Sequence, residues 1–321
     1  MTTLGLAAAP PAQAPPEQPQ IKKRPSKTIR RRNRKEAGLF LLLILPNLAA
    51  LVIFGYYPAL YNFVLSMTDW DFVAPAPTWV GLDKYAELLA DPSFYEVLAN
   101  TAIFTGVSVF GTMVGGLAIG LLLSRKLRFT GFTRTMAFAP HMLPGATVGI
   151  LWLFMFDPTY GLSRWFFSLF GAASPAWTTT SDWSLWAITI AYTWQRLGFV
   201  AVIYYTAILD LPQDILEAAQ LDGAGAWTMG RRIILPLLGP VSFFLIVTGV
   251  IASAQTFDII ATLTGGGPGT SSSTLTWMIY EEGFQRFDVG RAAATATVLF
   301  VVLMIITLIQ VKVIDRRVHY T

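Results

Sequence analysis

Few residues of this 321-residue chain could carry catalytic or metal chemistry. The chain has no Cys and only two His residues, His141 and His319, so neither a thiolate site nor a histidine-based metal site is expected. It lacks any Gly-Lys dipeptide, which a nucleotide-binding P-loop requires because its lysine must reach the phosphates. The adjacent carboxylates Glu281 and Glu282 would point apart on a helix, so we interpret them as part of a solvated loop face. The sequence therefore predicts no enzyme: no catalytic residue, no metal site and no cofactor bound by this chain.

The composition is that of an integral membrane protein. Hydrophobic residues make up 54% of the chain and charged residues 13%, whereas about 25% of the residues of soluble domains are charged. A bilayer span needs about 20 mostly apolar residues, and it must be helical because lipid offers the backbone no hydrogen-bond partner. Six segments meet this criterion: 39–66, 99–123, 135–156, 185–207, 237–257 and 292–311. We therefore predict an all-α polytopic membrane protein with six transmembrane helices, the third kinked at Pro140 and Pro144.

The distribution of Lys and Arg predicts the orientation in the membrane. With both termini in the cytosol, the inner segments hold 18 Lys and Arg and the outer segments hold 4. Cytosolic loops are the ones enriched in these residues, so they serve topology and lipid headgroups, and no nucleic-acid partner is expected. The predicted organisation is a disordered basic tail (1–38), a transmembrane domain (39–313) and a cytosolic C-terminal tail (314–321).

Residues 208–236, the connecting segment, lie between the fourth and fifth predicted spans and contain EAAQLDGAGAWTMGRRIILP (217–236). Pro212 suits the first turn of a helix, Gly223 and Gly225 interrupt it, and a second helix is expected from Ala226 to Leu235, ended by Pro236. Links between helices of a bundle usually have about 2–8 residues, whereas this one has 29. A helix with a sharp bend could dock in a groove of another protein, or the segment could simply lie on the lipid headgroups.

The same stretch resembles the cytoplasmic signature of permease subunits in binding-protein-dependent ABC importers. The matching residues are Glu217, Ala218, Ala219, Asp222, Gly223, Ile233, Leu235 and Pro236. The resemblance implies the type I ABC importer permease fold in a bacterial cytoplasmic (inner) membrane, with this stretch acting as the coupling helix on an ATPase. It implies four further subunits: a second permease subunit in a heterodimer, two copies of the ATPase that carry ATP and Mg, and an extracytoplasmic substrate-binding protein. Glu217 would contact the ATPase, and Gly223 would form the bend.

Other stretches are similar to the sugar and glycerol-phosphate branch of these permeases. They include FGYYPALYNFVLSMTDW (54–70), TGGGP (264–268), PVSFFLIV (240–247), IYEEGF (279–284) and KVIDRRVHYT (312–321). The later ones are most similar to the first permease subunit of sn-glycerol-3-phosphate importers. This resemblance implies transport of sn-glycerol-3-phosphate or of glycerophosphodiesters such as glycerophosphocholine, with a mono- or oligosaccharide as the alternative. A self-sufficient secondary transporter, which needs no ATPase, is the rival from another class.

Arg196 is the one charged residue predicted in the middle of a span. A charge there costs about 2.5–3.5 kcal/mol on insertion scales, so Arg196 is expected to face a polar pathway that attracts an anionic phosphate, or to pair with the other permease subunit. Further predicted pathway residues are Tyr192, Trp194, Gln195, Asn100, Gln255 and Asp258. Two Gly-xxx-Gly pairs, Gly111/Gly115 and Gly116/Gly120, predict close helix packing.

Overall fold

The structure is a computed structural model that describes residues 40–124 and 130–315, without the side chains of Thr130, Ala226 and 313–315. It divides into two compact units, Met1–Pro58 and Ala59–Thr321. Of the first unit it describes the helical residues 40–58. The tails predicted at 1–38 and 314–321 lie outside the described residues, except for the helical backbone of 314–315.

Most described residues are helical. The helices are α1 (Phe40–Leu65), α2 (Asp83–Ala90), α3 (Pro92–Ser124), α4 (Thr130–Phe138), α5 (Gly145–Met155), α6 (Leu162–Ser168), α7 (Ser181–Leu209), α8 (Gln213–Leu221), α9 (226–237), α10 (Gly239–Ala254), α11 (Asp258–Leu263), α12 (Leu275–Tyr280) and α13 (Val289–Asp315). Strand β1 (Thr68–Asp69) pairs antiparallel with β2 (Thr78–Trp79), with Thr68 opposite Trp79.

The described helices account for the six predicted spans. Helices α1, α3 and α13 are each long and apolar enough to cross a membrane. Three further candidates are pairs of consecutive helices that meet the criterion together and are bent by more than 40° where they join: α4 with α5, α7 with α8, and α9 with α10. Counting each pair as one span gives six, which agrees with the number predicted from the sequence; of the last two pairs, α7 and α10 correspond to the predicted spans 185–207 and 237–257, and α8 and most of α9 belong to the connecting segment.

The predicted kink of the third span is present, and it is a complete break. Helix α4 runs into a 3-10 turn at Ala139–Met142, α5 begins at Gly145, and the two halves meet at 100°. Leu143, which precedes Pro144, is extended at φ −76° and ψ 137°, because a proline disfavours the helical conformation of the residue before it. The carbonyl of Leu143 therefore leaves the helical ladder and is available to α7.

Helices α3 and α7 pack closely along a row of glycines on α3. A Cβ on Gly116 would lie 2.6 Å from the Cγ1 of Val200, and one on Gly120 would lie 3.0 Å from the Cβ of Tyr204. The same face of α3 carries the other predicted pair, Gly111 and Gly115. The predicted close approach is therefore confirmed, because only hydrogen fits between the two helices at Gly116. This contact fixes α7, which carries Arg196.

The interpretation of Glu282 as a solvated loop residue is wrong. Glu282 lies in a π-helical continuation of α12 (Glu281–Gln285) and is only 1% exposed. Its carboxylate accepts hydrogen bonds from Thr295, at 2.9 Å, and from Arg291, which also donates to Asp91. Burial raises the pKa of Glu282, although the hydrogen bond from Thr295 and the charge of Arg291 oppose the shift. The network joins α12 and α13 to the start of α3.

A second ion cluster fastens α2, the short helix between α1 and α3. Lys84 on α2 is largely buried, and its Nζ lies 2.9 Å from a carboxylate oxygen of Asp69 on β1 and 3.3 Å from one of Asp288. Burial alone would lower the pKa of Lys84, but the hydrogen bond to Asp69 and the charge of Asp288 raise it overall. Lys84 therefore ties α2 to the strand pair and to the residue before α13.

Candidate functional site

The connecting segment forms two short helices joined by a bend, as predicted. Helix α8 covers Gln213–Leu221, with Pro212 as its N-cap residue and Asp214 in its first turn. A carboxylate in that position interacts favourably with the positive end of the helix dipole. Helix α8 leaves α7 at an angle of 75°. Because of this angle, α8 does not continue in the direction of α7, and its surface is separate from that of α7.

Helix α8 is bound to the rest of the unit on one side and exposed on the other. Leu216 packs against a buried cluster that includes Leu211 and Leu238, which are 8% and 0% exposed. On the opposite side Glu217 and Ala218 are exposed. Leu221 at the end of α8 is 89% exposed. A small-residue face that carries one carboxylate and ends in an apolar side chain is suited to docking against another protein.

The bend at Gly223 closes the end of α8. Gly223 has φ +80°, and its N–H donates to the carbonyl of Gln220, while the N–H of Ala224 donates to that of Ala219, both at 3.0 Å. These two hydrogen bonds form a Schellman motif, in which the residue with positive φ is usually Gly because a side chain strains it. Asp222, which precedes the bend, is exposed. The sequence therefore predicted both the position of the bend and the residue type that makes it.

The end of the second helix differs from the prediction. Helix α9 starts at Ala226, continues through a π-helical stretch at Met229–Ile234 and reaches Leu237, so Pro236 lies inside it. In a regular α-helix the proline ring would meet the carbonyl four residues earlier, and the wider π turn that precedes Pro236 relieves this clash. Ile233 is half-buried and Leu235 exposed, so these signature residues lie on different sides of α9.

Arg196 lies near the middle of α7, 15 residues after its first residue and 13 before its last. At 1.5 Å per residue it is about 20 Å from either end of the helix. The side chain is half-buried, and its guanidinium carbon lies 5.2 Å from the ring centre of Phe199. Among the described residues, Arg196 has no carboxylate at ion-pair distance. The charge is thus held at mid-span without an acidic partner from that part of the chain.

Arg196 and Tyr192 line a common cleft between α3, α7 and α10. Thr112 contributes from α3 and Thr248 from α10, and both of these residues were missed in the sequence. Each threonine hydroxyl donates to the carbonyl four residues earlier in its own helix. The cleft has a volume of about 10 Å³, which is room for about one water molecule. In this conformation it is too small for a polyol phosphate or a sugar.

Three other predicted pathway residues make contacts that hold the fold together. The side-chain amide N–H of Gln195 donates to the carbonyl of Leu143 at the break between α4 and α5, at 2.8 Å. Asn100 donates to the carbonyl of Thr270 at 2.9 Å. The ring of Trp194 lies 5.7 Å from that of Trp152. The structure therefore does not bring these side chains together with Arg196.

Gln255 and Asp258 lie near each other at the end of α10. Gln255 is the C-cap residue of α10, and both side chains are exposed. Asp258 starts α11 and reaches over the first turn of α5, where a Cβ on Gly145 would lie 2.6 Å from its Oδ2. Of the six residues predicted beside Arg196, only Tyr192 shares its cleft.

Known proteins with the same sequence pattern and fold are membrane transport components. The chain is 31% identical over 282 residues to the sn-glycerol-3-phosphate transport system permease protein of Agrobacterium fabrum, covering 87% of this chain and 95% of that protein. It is 30% identical over 287 residues to a probable starch degradation products transport system permease protein of Thermoanaerobacterium thermosulfurigenes, covering 86% and 94%.

A solved structure shows the same fold. A bacterial ABC transporter involved in the import of the acidic polysaccharide alginate matches with a TM-score of 0.77 at 24% identity, covering 90% of this chain and 99% of that chain. The fold is thus that of type I ABC importer permeases. Residues 108–320 match the family described as binding-protein-dependent transport system inner membrane component. The chain therefore belongs to this family and is a permease subunit of a binding-protein-dependent ABC importer.

Proposed function

We propose that this permease subunit forms half of the pathway for sn-glycerol-3-phosphate or a glycerophosphodiester such as glycerophosphocholine. The observation that carries the proposal is Arg196, a mid-span cation that lines a cleft with Tyr192 and has no acidic partner among the described residues. A guanidinium matches the geometry of a phosphate because its N–H groups can bind two oxygens at once. The second permease subunit would complete the pathway, since the cleft of this chain alone is too small for the substrate.

The same proposal assigns the connecting segment to energy coupling. Two ATPase copies, which hold ATP and Mg, would dock at the cytosolic face, with Glu217 and the exposed side of α8 as the contact of this subunit. An extracytoplasmic binding protein would deliver the substrate to the opposite side. The proposal places both termini in the cytosol because the Lys and Arg count, 18 inner against 4 outer, favours that orientation.

A sugar is the second candidate substrate, and the aromatic character of the cleft favours it. Tyr192 and Phe199 both line the cleft beside Arg196, and aromatic rings present the flat apolar surfaces on which sugar rings stack. The probable starch degradation products transport system permease protein, at 30% identity, is consistent with this alternative. A neutral sugar, however, gives Arg196 no charge to bind.

Uptake by the complete transporter reconstituted in liposomes distinguishes the two substrates. The substrates compared are sn-glycerol-3-phosphate, glycerophosphocholine and a maltooligosaccharide, each with its binding protein. We expect Arg196→Ala to lower phosphate-ester uptake at least tenfold, since a hydrogen bond to a charged group contributes about 1.5–3 kcal/mol. Arg196→Lys should retain part of the uptake, and Arg164→Ala, at an exposed position in α6, is the control. Full phosphate-ester uptake by Arg196→Ala contradicts the phosphate site; uptake of the sugar alone supports the alternative.

A further inference from the structure

A deep apolar groove lies between the last turns of α3 and the π-helical part of α9. Its volume is about 490 Å³. Seven residues line it, five of them apolar: Leu117, Leu121, Trp227, Gly230, Arg231, Ile234 and Leu235. Neither substrate transport nor the docking face of α8 uses this groove.

The groove joins membrane depth to the membrane surface. Leu117 and Leu121 belong to the long apolar helix α3 and precede its last residue, Ser124, by 7 and 3 positions, which at 1.5 Å per residue puts them about 10 and 5 Å inside the end of the helix. On the other wall Trp227 is 78% exposed, and tryptophan is enriched at the level of the lipid headgroups. In a bilayer, one end of the groove would therefore lie beside acyl chains and the other beside headgroups.

The headgroup end carries a positive charge. Arg231 lines the groove and Arg232 follows it, and both are exposed. Within the described part of the chain, neither arginine has a carboxylate at ion-pair distance. An apolar channel with cations at its mouth is complementary to one class of molecule in a bilayer, a lipid with two acyl chains and an anionic headgroup.

We infer that this groove binds an anionic phospholipid, with an acyl chain between Leu117 and Ile234 and the headgroup phosphate on Arg231. The inference rests on the proposed function at one point, the cytosolic location of the connecting segment. That location puts the lipid in the inner leaflet of the membrane. The lipid would fill the space between α3 and α9. It would thereby support α9, through which the connecting segment continues into α10.

The test measures lipid retained by the purified complete transporter, without substrate or ATP, by native mass spectrometry. Phosphatidylglycerol and phosphatidylcholine with identical acyl chains are compared at equal concentration, and inorganic phosphate is added as a soluble competitor. We expect preferential retention of phosphatidylglycerol that phosphate does not displace. Arg231→Gln should weaken retention about fivefold. A basic residue near the membrane surface contributes about 1 kcal/mol to lipid binding, and about 1.36 kcal/mol corresponds to a factor of ten in affinity.

Two further variants separate the groove from general surface charge. Gly230→Leu fills the groove, since a Cβ at Gly230 meets no atom within 4 Å, and it should abolish retention while both arginines remain. Arg286→Gln, at an exposed arginine before α13, should change nothing. Equal retention of the two lipids, displacement by phosphate, or retention unaffected by Gly230→Leu overturns the inference. Because no transport is measured, each of these outcomes leaves the proposed substrate untouched.

Discussion

Replacing Gly223 by Ala tests whether the sharp end of α8 is needed for coupling to the ATPase. Gly223 has φ +80°, and a Cβ there meets no atom within 4 Å. The added methyl group therefore clashes with no neighbour, and its whole cost comes from the left-handed backbone, about 1–2 kcal/mol. A cost of that size lowers the population of the bent conformation about 5- to 30-fold.

The assay is binding of the purified ATPase to the membrane subunits, together with ATP hydrolysis stimulated by the loaded binding protein. Gly223→Ala should lower the apparent affinity by up to the same factor. Gly225→Ala is a matched control two residues away, since Gly225 also has open space at its Cβ but no positive φ. Gly223→Asn should recover most of the affinity, because Asn tolerates the left-handed conformation.

The pattern across the three variants decides the outcome. Equal loss in Gly223→Ala and Gly225→Ala would show that any methyl group on this surface interferes, and the backbone explanation would be wrong. Gly223→Asn behaving like Gly223→Ala would contradict it as well. Normal binding and hydrolysis in all three would show that the bend does not contribute to docking.

Five further variants test the packing, the buried carboxylate and the docking face. Gly116→Ala should cost about 1–3 kcal/mol of stability by overpacking, measured by thermal unfolding of the complex. A Cβ on Gly106 of the same helix meets no atom within 4 Å, so Gly106→Ala should not destabilise the complex. The raised pKa of Glu282 means that the folded state holds the proton more tightly, so stability should fall as pH rises from about 4.5 towards the native pKa, and Glu282→Gln should flatten this slope. Leu216→Ala should lower transport per ATP hydrolysed by loosening α8, whereas Ile215→Ala, 44% exposed, should weaken ATPase binding instead; the opposite assignment would show that the two faces are reversed.

Features set by short-range chemistry could be predicted from the sequence. Pro140 and Pro144 predicted the break of the third span because a proline acts on its immediate neighbours. Gly223 predicted the bend for the same reason, since its effect depends on its own φ. The glycine pairs of α3 predicted a close contact, although the sequence did not say that the partner would be α7.

Features that depend on distant partners could not be predicted. Glu282 looked solvated because its neighbour Glu281 gives no sign of burial. Its partner Arg291 lies 9 positions away, and Arg291 in turn donates to Asp91, which lies 200 positions from Arg291 in the sequence. The same holds for Thr112 and Thr248, which meet Arg196 only after three helices have packed. Pro236 was misjudged because the π-helical stretch that accommodates it has no simple sequence signal.

The buried cluster around Tyr204 links the two candidate sites mechanically. It contains Val200, Tyr204 and Ile208 from α7, and Leu216 from α8 packs on the same cluster. Arg196 lies one turn before Val200 on the same continuous helix. If an ATPase docks on α8 as proposed, these close-packed side chains would transmit a displacement of α8 to α7. Because α7 and α10 both line the cleft at Arg196, a shift of α7 relative to α10 would change the width of the cleft.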